Sequence, residues 1–273
     1  MDIIELIRDA AATFQQAPKT QRISIAIQCG ALCSESFAQT SELPAELISL
    51  WKEALRDAEA EVRQAAVFGL YICTPPFARG FSEVVRRVAV GEDSGPDRKR
   101  EAWIVLARIG ERDGIHWIAQ QLQNDNQSVR EAVAQELSKI DSKEFVAHSD
   151  MRFTLKDVSE IVRLEGARLL WEGENNTSET IPVLLKIMSN KMSKHRLSAA
   201  RLLCRMGEQA AAVLPDLIAL RNEEEWTLRL QAVRAIRKIW PTNEELIPVL
   251  NVLSTDRNQF VAREARETLQ ELI

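Results

Sequence analysis

Three segments of the chain align without a gap: IPVLLKIMSNKMSKHRLSAARLLCRMG from Ile181, LPDLIALRNEEEWTLRLQAVRAIRKIW from Leu214, and IPVLNVLSTDRNQFVAREARETLQELI from Ile247. A fixed period, here 33 residues, overrides most other fold arguments because it demands a stack of like units. An Arg early in the second half of each unit extends the pattern backwards. The markers stand at Arg63, Arg100, Arg130, Arg163, Arg196, Arg229 and Ala262, spaced 37, 30, 33, 33, 33 and 33 apart.

Three residues past the markers stand Ala66, Trp103, Val133, Gly166, Ala199, Ala232 and Ala265, and seven past them Leu70, Ala107, Leu137, Leu170, Leu203, Ile236 and Leu269. Offsets of three, four and seven describe one stripe of a helix. Small residues at the three-offset let neighbouring helices approach. Pro182, Pro215 and Pro248 open a second apolar run before the marker, where a missing N–H is tolerated in a first helical turn. Six residues before each marker comes a turn residue: Asp57, Ser94, Asn124, Asp157, Asn190, Glu223 or Asp256. Apart from Glu223, these are helix-capping types. Each unit therefore reads helix, turn, helix.

The Pro near the first helix start, the turn Asp or Asn and the VR..A...L pattern of the second helix resemble the HEAT-repeat family, including its bacterial, PBS-lyase-like branch. The resemblance covers residues 42–273. It implies an all-α fold, a right-handed α-solenoid of about seven helix pairs whose second helices line an inner face. Residues 1–41 are expected to form a capping pair, with RISIAIQCGALC as its second helix. TPPFARGF and GEDSGPDRK predict a longer loop between Arg63 and Arg100. The poorly patterned DSKEFVAHSDMRFTLKD predicts a bend or loosening ahead of Arg163.

Composition agrees with a helical chain: one Tyr and ten Gly among 273 residues lack the texture of sheets. The start, MDIIELIRDAAATF, has no basic region or unbroken apolar core and reads as a mature helix, and no window suits a membrane span. Cys29, Cys33, Cys73 and Cys204 are too scattered for a disulfide framework; the expectation is free, buried thiols in a reducing, cytoplasmic setting. The net charge of −5 opposes whole-molecule attraction to phosphate, yet residues 163–238 carry thirteen bases against nine acids.

The marker arginines read as structural, because the HEAT resemblance implies Arg–Asp ladders between repeats. The candidate site lies on the other side of the second helices. Positions five and nine past the marker point away from the packed stripe at about 100° per residue. They read Phe68 and Ile72, then Val105 and Ile109, then Gln135 and Lys139, then Arg168 and Glu172, Arg201 and Arg205, Arg234 and Lys238, and finally Glu267 and Glu271. This is a banded surface, apolar, then basic, then acidic. Arg168, Arg201, Arg205, Arg234 and Lys238, flanked by Trp171 and with Trp240 ending the last row, make a candidate band for an acidic protein partner. The same charges also fit a solvated helix face, and that reading stays open.

Trp51, Trp103 and Trp117 fall at core offsets, and Trp226 lies in a turn. His116, His148 and His195 are isolated, with His116 standing where other units have Pro and read as capping. No metal-ligand spacing and no familiar catalytic motif is present, so no cofactor, metal or catalytic residue is assigned. The expectation is a non-enzymatic scaffold that binds a protein on its inner face, as an inhibitor or immunity protein or as an assembly factor. Two alternatives remain. One is nucleic-acid binding resembling the HEAT-like alkylpurine DNA glycosylases, with Glu172 as the acid; the other is a likeness to HEAT-like proteins of bilin attachment.

Overall fold

The computed structural model describes residues 3–40, 43–239 and 246–272. Helices are the only regular elements among them. In chain order these are α1 Ile3–Thr13, α2 Lys19–Thr40, α3 Ala45–Leu55, α4 Ala60–Ile72, α5 Ser82–Val90, α6 Pro96–Arg108, α7 Arg112–Gln121 and α8 Gln127–Glu136. There follow α9 Ser142–His148, α10 Glu160–Glu174, α11 Thr177–Ser189, α12 Arg196–Met206, α13 Leu214–Ala219, α14 Trp226–Ile239, α15 Ile247–Leu253 and α16 Gln259–Leu272. From α3 onward each marker lies on an even-numbered helix near its N-terminus, so the all-α solenoid architecture is observed. No helix is long and apolar enough to cross a membrane among the described residues. Trp240 lies outside them.

The chain divides into two compact units, one of residues 1–124 and 139–149, the other of 125–138 and 150–273. The boundary expected at residue 41 falls inside the first. There α2 packs on α4 with backbone against backbone, since a Cβ on Gly30 would lie 2.7 Å from the Gly69 carbonyl oxygen. Trp51 is wholly buried beside them and donates its indole N–H to the Ala66 carbonyl at 3.0 Å. Trp103 and Trp117 stack with centroids 6.4 Å apart. The stretched unit takes the form expected: a 3-10 turn over Pro76–Phe81, then a break between α5 and α6 with Pro96 in the first turn of α6.

In the second unit the stripe residues Val133, Leu137, Leu170, Ala199, Leu203, Ala232, Ile236 and Ala265 are all buried. Gly166 shows why the three-offset must be small: a Cβ there would sit 1.8 Å from the hydroxyl of buried Thr154.

Turn residues and markers cooperate. Asp57, Asp157 and Asp256 each accept the N–H two residues ahead, at 2.9, 2.8 and 2.8 Å, so they close the turn before the helix and do not cap it. The same carboxylates receive an Arg of the preceding repeat. Arg22 grips Asp57 (2.8 and 3.2 Å), Arg130 grips Asp157 (2.7 and 3.2 Å), Arg196 grips Glu223 (2.7 and 3.3 Å) and Arg229 grips Asp256 (2.7 and 2.8 Å). Where the next turn residue is Ser94, Asn124 or Asn190, no such ion pair forms among the described residues. Arg63 and Arg163 each donate instead to two carbonyls of their own turn, and Arg163 also approaches Glu160 of its own helix at 3.8 Å.

Four expectations are corrected. Cys33 and Cys73 are joined as a disulfide, because α2 and α4 bring their Cα atoms to 6.4 Å, so only Cys29 and Cys204 are free and buried. Pro182 lies inside α11, whose start is capped by Asn176 accepting from the Glu179 N–H, whereas Pro215 and Pro248 do open their helices. His116 is interior to α7 and does not cap the start of that helix; its Nε2 lies 3.2 Å from the carbonyl oxygen of His148, the last residue of α9. The apolar start of the banded surface does not exist as drawn, since Val105 and Ile109 are buried and Arg98 covers Phe68 at 4.2 Å.

Candidate functional site

Apolar residues at 199, 200, 202, 203, 204 and 206 bury most of the surface of α12, leaving Arg201 and Arg205 on the remaining exposed strip. One repeat later α14 does the same with half-buried Arg234 and exposed Lys238. The two helices pack together, and the charges of Arg234 and Lys238 act on Cys204 of α12: burial pushes this thiol up to about 12, and the two cations pull against that rise. Four cations thus occupy matched positions on neighbouring helices, whose axes lie about 8–10 Å apart. Among the described residues Arg201, Arg234 and Lys238 have no ion-pair partner.

Arg168 does not share this state. Its guanidinium lies 2.8 Å from Glu165, 2.5 Å from Glu172 and 2.6 Å from the Leu137 carbonyl, with 13% of the side chain exposed. Its charge is spent inside the fold, and the candidate band loses its first row. Glu165 and Glu172, three before and four after Arg168, are the positions from which a carboxylate on the same helix reaches it. Glu172 also reaches Arg205 at 2.8 Å. Trp171 donates its indole N–H to Gln209 (2.9 Å), and the Arg205 guanidinium lies 5.3 Å from its ring centroid. The array of Arg201, Arg205, Arg234 and Lys238 therefore has one edge defined by Trp171 and Glu172.

A second feature escaped the sequence. A cleft of about 420 Å³ opens where the starts of α8, α10 and α12 meet, lined by Glu131, Ser159, Glu160, Ser193, Lys194 and His195 among others. Glu131 is held below the usual carboxylate range by hydrogen bonds from Gln127 (2.8 Å) and Ser159 (2.7 Å). Burial raises Glu160, but hydrogen bonds from Ser193 and Asn190 outweigh it and hold this carboxyl low too. Burial, aided by Lys194, lowers His195 against the pull of the nearby glutamates, so its imidazole is neutral at pH 7. The lining offers charge and hydrogen bonds in a recess. Gln127, Glu160 and Ser193 share one offset, three before their markers, but they differ in type, and Glu131, Ser159 and His195 stand at other offsets, so a search for like residues in one column passes over the cleft. No group of three or more His, Cys, Asp or Glu is placed to hold a metal among the described residues.

Residues 181–270 match the family model described as HEAT repeats. No curated protein matches the chain. Similar solved structures include human deoxyhypusine hydroxylase in complex with glycerol, at 15% identity over 99% of this chain and 96% of that one, with a TM-score of 0.37. They also include the complex of CpcE and CpcF of phycocyanin lyase from a Nostoc species, at 19% identity over 85% of this chain and 98% of that one, with a TM-score of 0.41. Both carry the names of enzymes, which overturns the expectation that a chain of this kind without familiar motifs is not an enzyme. At these scores neither lends its activity or substrate to this chain.

Proposed function

Starting from a chain whose residues 181–270 match HEAT repeats, we propose that the second unit is a docking scaffold for a protein partner with an acidic surface, seated on Arg201, Arg205, Arg234 and Lys238 beside Trp171. The observation that carries this reading is the absence, among the described residues, of any counter-ion for Arg201, Arg234 and Lys238, in a unit that pairs most of the other arginines on its even-numbered helices. Helix folding has no use for three neighbouring unscreened cations, which repel one another and gain only when an anion covers them. A partner held this way is either blocked, as by an inhibitor or immunity protein, or delivered, as by an assembly factor.

The test is a pull-down from native lysate with the wild-type chain and the Arg201→Glu/Arg234→Glu variant, both first shown to melt alike. The reading expects a protein retained by the wild type, lost by the variant and released as salt rises toward 0.5 M, because exposed charges are screened within about 10 Å at 0.1 M. Equal recovery by both proteins refutes it.

A further inference from the structure

At the turn edges that lead into the helices of the second unit stand apolar side chains that the 33-residue reading does not contain. Val158, Met192, Trp226 and Phe260 are each 34 residues apart and are 74, 91, 37 and 46% exposed. They stand one, two, three and four residues past the turn residues Asp157, Asn190, Glu223 and Asp256, so all four lie at the turn edge of consecutive repeats in the second unit. Val158 and Met192 line the same cleft, and Trp226 stacks on Phe260 with centroids 5.6 Å apart. Seven large apolar side chains are strongly exposed among the described residues, and this one edge holds four of them. Scattered exposed apolar residues are ordinary; four gathered at the turn edges of consecutive repeats mark an interface.

Charge decides what covers it. Met192 stands between exposed Lys191 and Lys194, on the approach to Arg201 and Arg205 of α12, and the whole stretch from Lys186 to Gly207 contains no acid. At the far end the charges are mixed. Glu224 and Glu225 precede Trp226, while Arg257 donates to the Glu224 carbonyl at 3.1 Å and Arg263 lies 5.8 Å from the Phe260 centroid. Lys191 and Lys194 are offset on the Met192 side by Glu131 and Glu160 of the cleft, so the uncompensated positive charge is that of Arg201, Arg234 and Lys238 on α12 and α14. A zwitterionic membrane or a neutral apolar groove-filler leaves those cations uncovered, whereas an acidic segment with apolar side chains satisfies both features at once, and anionic vesicles bound more tightly than such a peptide overturn that choice.

We infer that Met192, Trp226 and Phe260 are the apolar anchors of the docking surface, and that the partner presents an acidic segment whose apolar side chains seat on this row while its carboxylates meet the array. This rests on the reading of the array given above and adds the second half of the partner's chemistry.

Three fluorescein-labelled 16-residue peptides test it at low salt: one alternating Glu with Leu and Phe, one with Ser in place of the apolar residues, and one with Lys in place of Glu. The acidic–apolar peptide should bind about tenfold more tightly than the acidic–Ser peptide, the scale of a pair of interface anchors. Trp226→Ser/Phe260→Ser should erase that preference and leave the acidic–Ser affinity unchanged. Met192→Ser, at a 91% exposed position that contributes nothing to the core, should reduce the preference without any change in melting. Equal binding of the two acidic peptides, or a preference that survives all three substitutions, overturns the row while the array stands. Binding of the Lys peptide as tight as that of the acidic–apolar peptide, or tighter binding of a single-stranded oligonucleotide, overturns the partner chemistry. Failure of both acidic peptides to bind at all removes the array reading itself.

Discussion

Replacing Arg229 with Met isolates what the inter-repeat ladder contributes. Arg229 is the most buried arginine of the ladder, with 6% of its side chain exposed against 8% for Asp256. Its guanidinium makes four hydrogen bonds, two to the Asp256 carboxylate (2.7 and 2.8 Å) and two to the Glu223 and Glu224 carbonyls (2.9 and 2.7 Å). Methionine fills much of the volume and provides none of them, leaving a buried carboxylate with the Asn258 N–H and the charge of Arg257 in place of its ion pair. Breaking a buried pair from one side costs about 3–5 kcal/mol. For a unit of this size that corresponds to a melting shift on the order of 10–15 °C. Arg163→Met is the internal control. Arg163 donates to the Asp157 and Val158 carbonyls at 2.6 and 2.9 Å but meets no turn carboxylate of the next repeat, so its loss should stay near about 1–2 kcal/mol. Arg229→Met/Asp256→Leu should recover a large part of the deficit, because matched apolar replacement of a buried pair is often neutral. Urea unfolding followed by circular dichroism at 222 nm measures all three. If Arg229→Met loses no more than Arg163→Met, or if the double variant is no better than the single, the ladder is not held by its buried ion pairs.

Gly166→Ala should destabilise the second unit by about 1–3 kcal/mol, since its Cβ would collide with Thr154, and calorimetry of the variant reads the loss directly. In denaturant without reductant, thiol titration should find two reactive cysteines, Cys29 and Cys204, and four after reduction; four at the outset would remove the Cys33–Cys73 bond. The carboxyls of Asp157, Glu223 and Asp256 are lowered by their arginine partners, helped by a backbone N–H at Asp157 and Asp256, against the opposing effect of burial, which is the largest single influence at Asp157. In the pH range below the ordinary values the unfolded chain then binds more protons than the folded one. Their stabilisation is complete above about pH 4.5 and is lost as pH falls through the lowered values, so a plot of unfolding free energy against pH should decline there and should decline less for Asp256→Asn. His195, lowered by burial, costs stability as pH drops below its ordinary 6.5, and its imidazole proton signals in NMR should titrate below that value, whereas those of the urea-unfolded chain titrate at it.

The 33-residue beat, the small residues at the three-offset and the apolar residues at the seven-offset were enough to determine the helix pairs, because one helical stripe has to be buried and a period forces like stripes to meet. The rungs of the ladder were also in the sequence for a reader who asked whether each turn residue carries a carboxylate: Asp57, Asp157, Glu223 and Asp256 each hold an Arg of the preceding repeat, an ion pair that a Ser or Asn at the same position cannot make. Tertiary structure alone decided which cations are free. Arg168 and Arg201 occupy the same offset and look alike as letters, but Arg168 meets Glu165, Glu172 and a carbonyl of the preceding repeat, while Arg201 meets no counter-ion among the described residues. Tertiary packing likewise joined Cys33 to Cys73 across 40 residues and gathered Glu131, Glu160 and His195 into one cleft from three repeats. A period records which residues share a column along the stack; it does not record which neighbours reach across it. Charge, redox pairing and recesses depend on those cross-repeat distances, which exist only once the helices have packed.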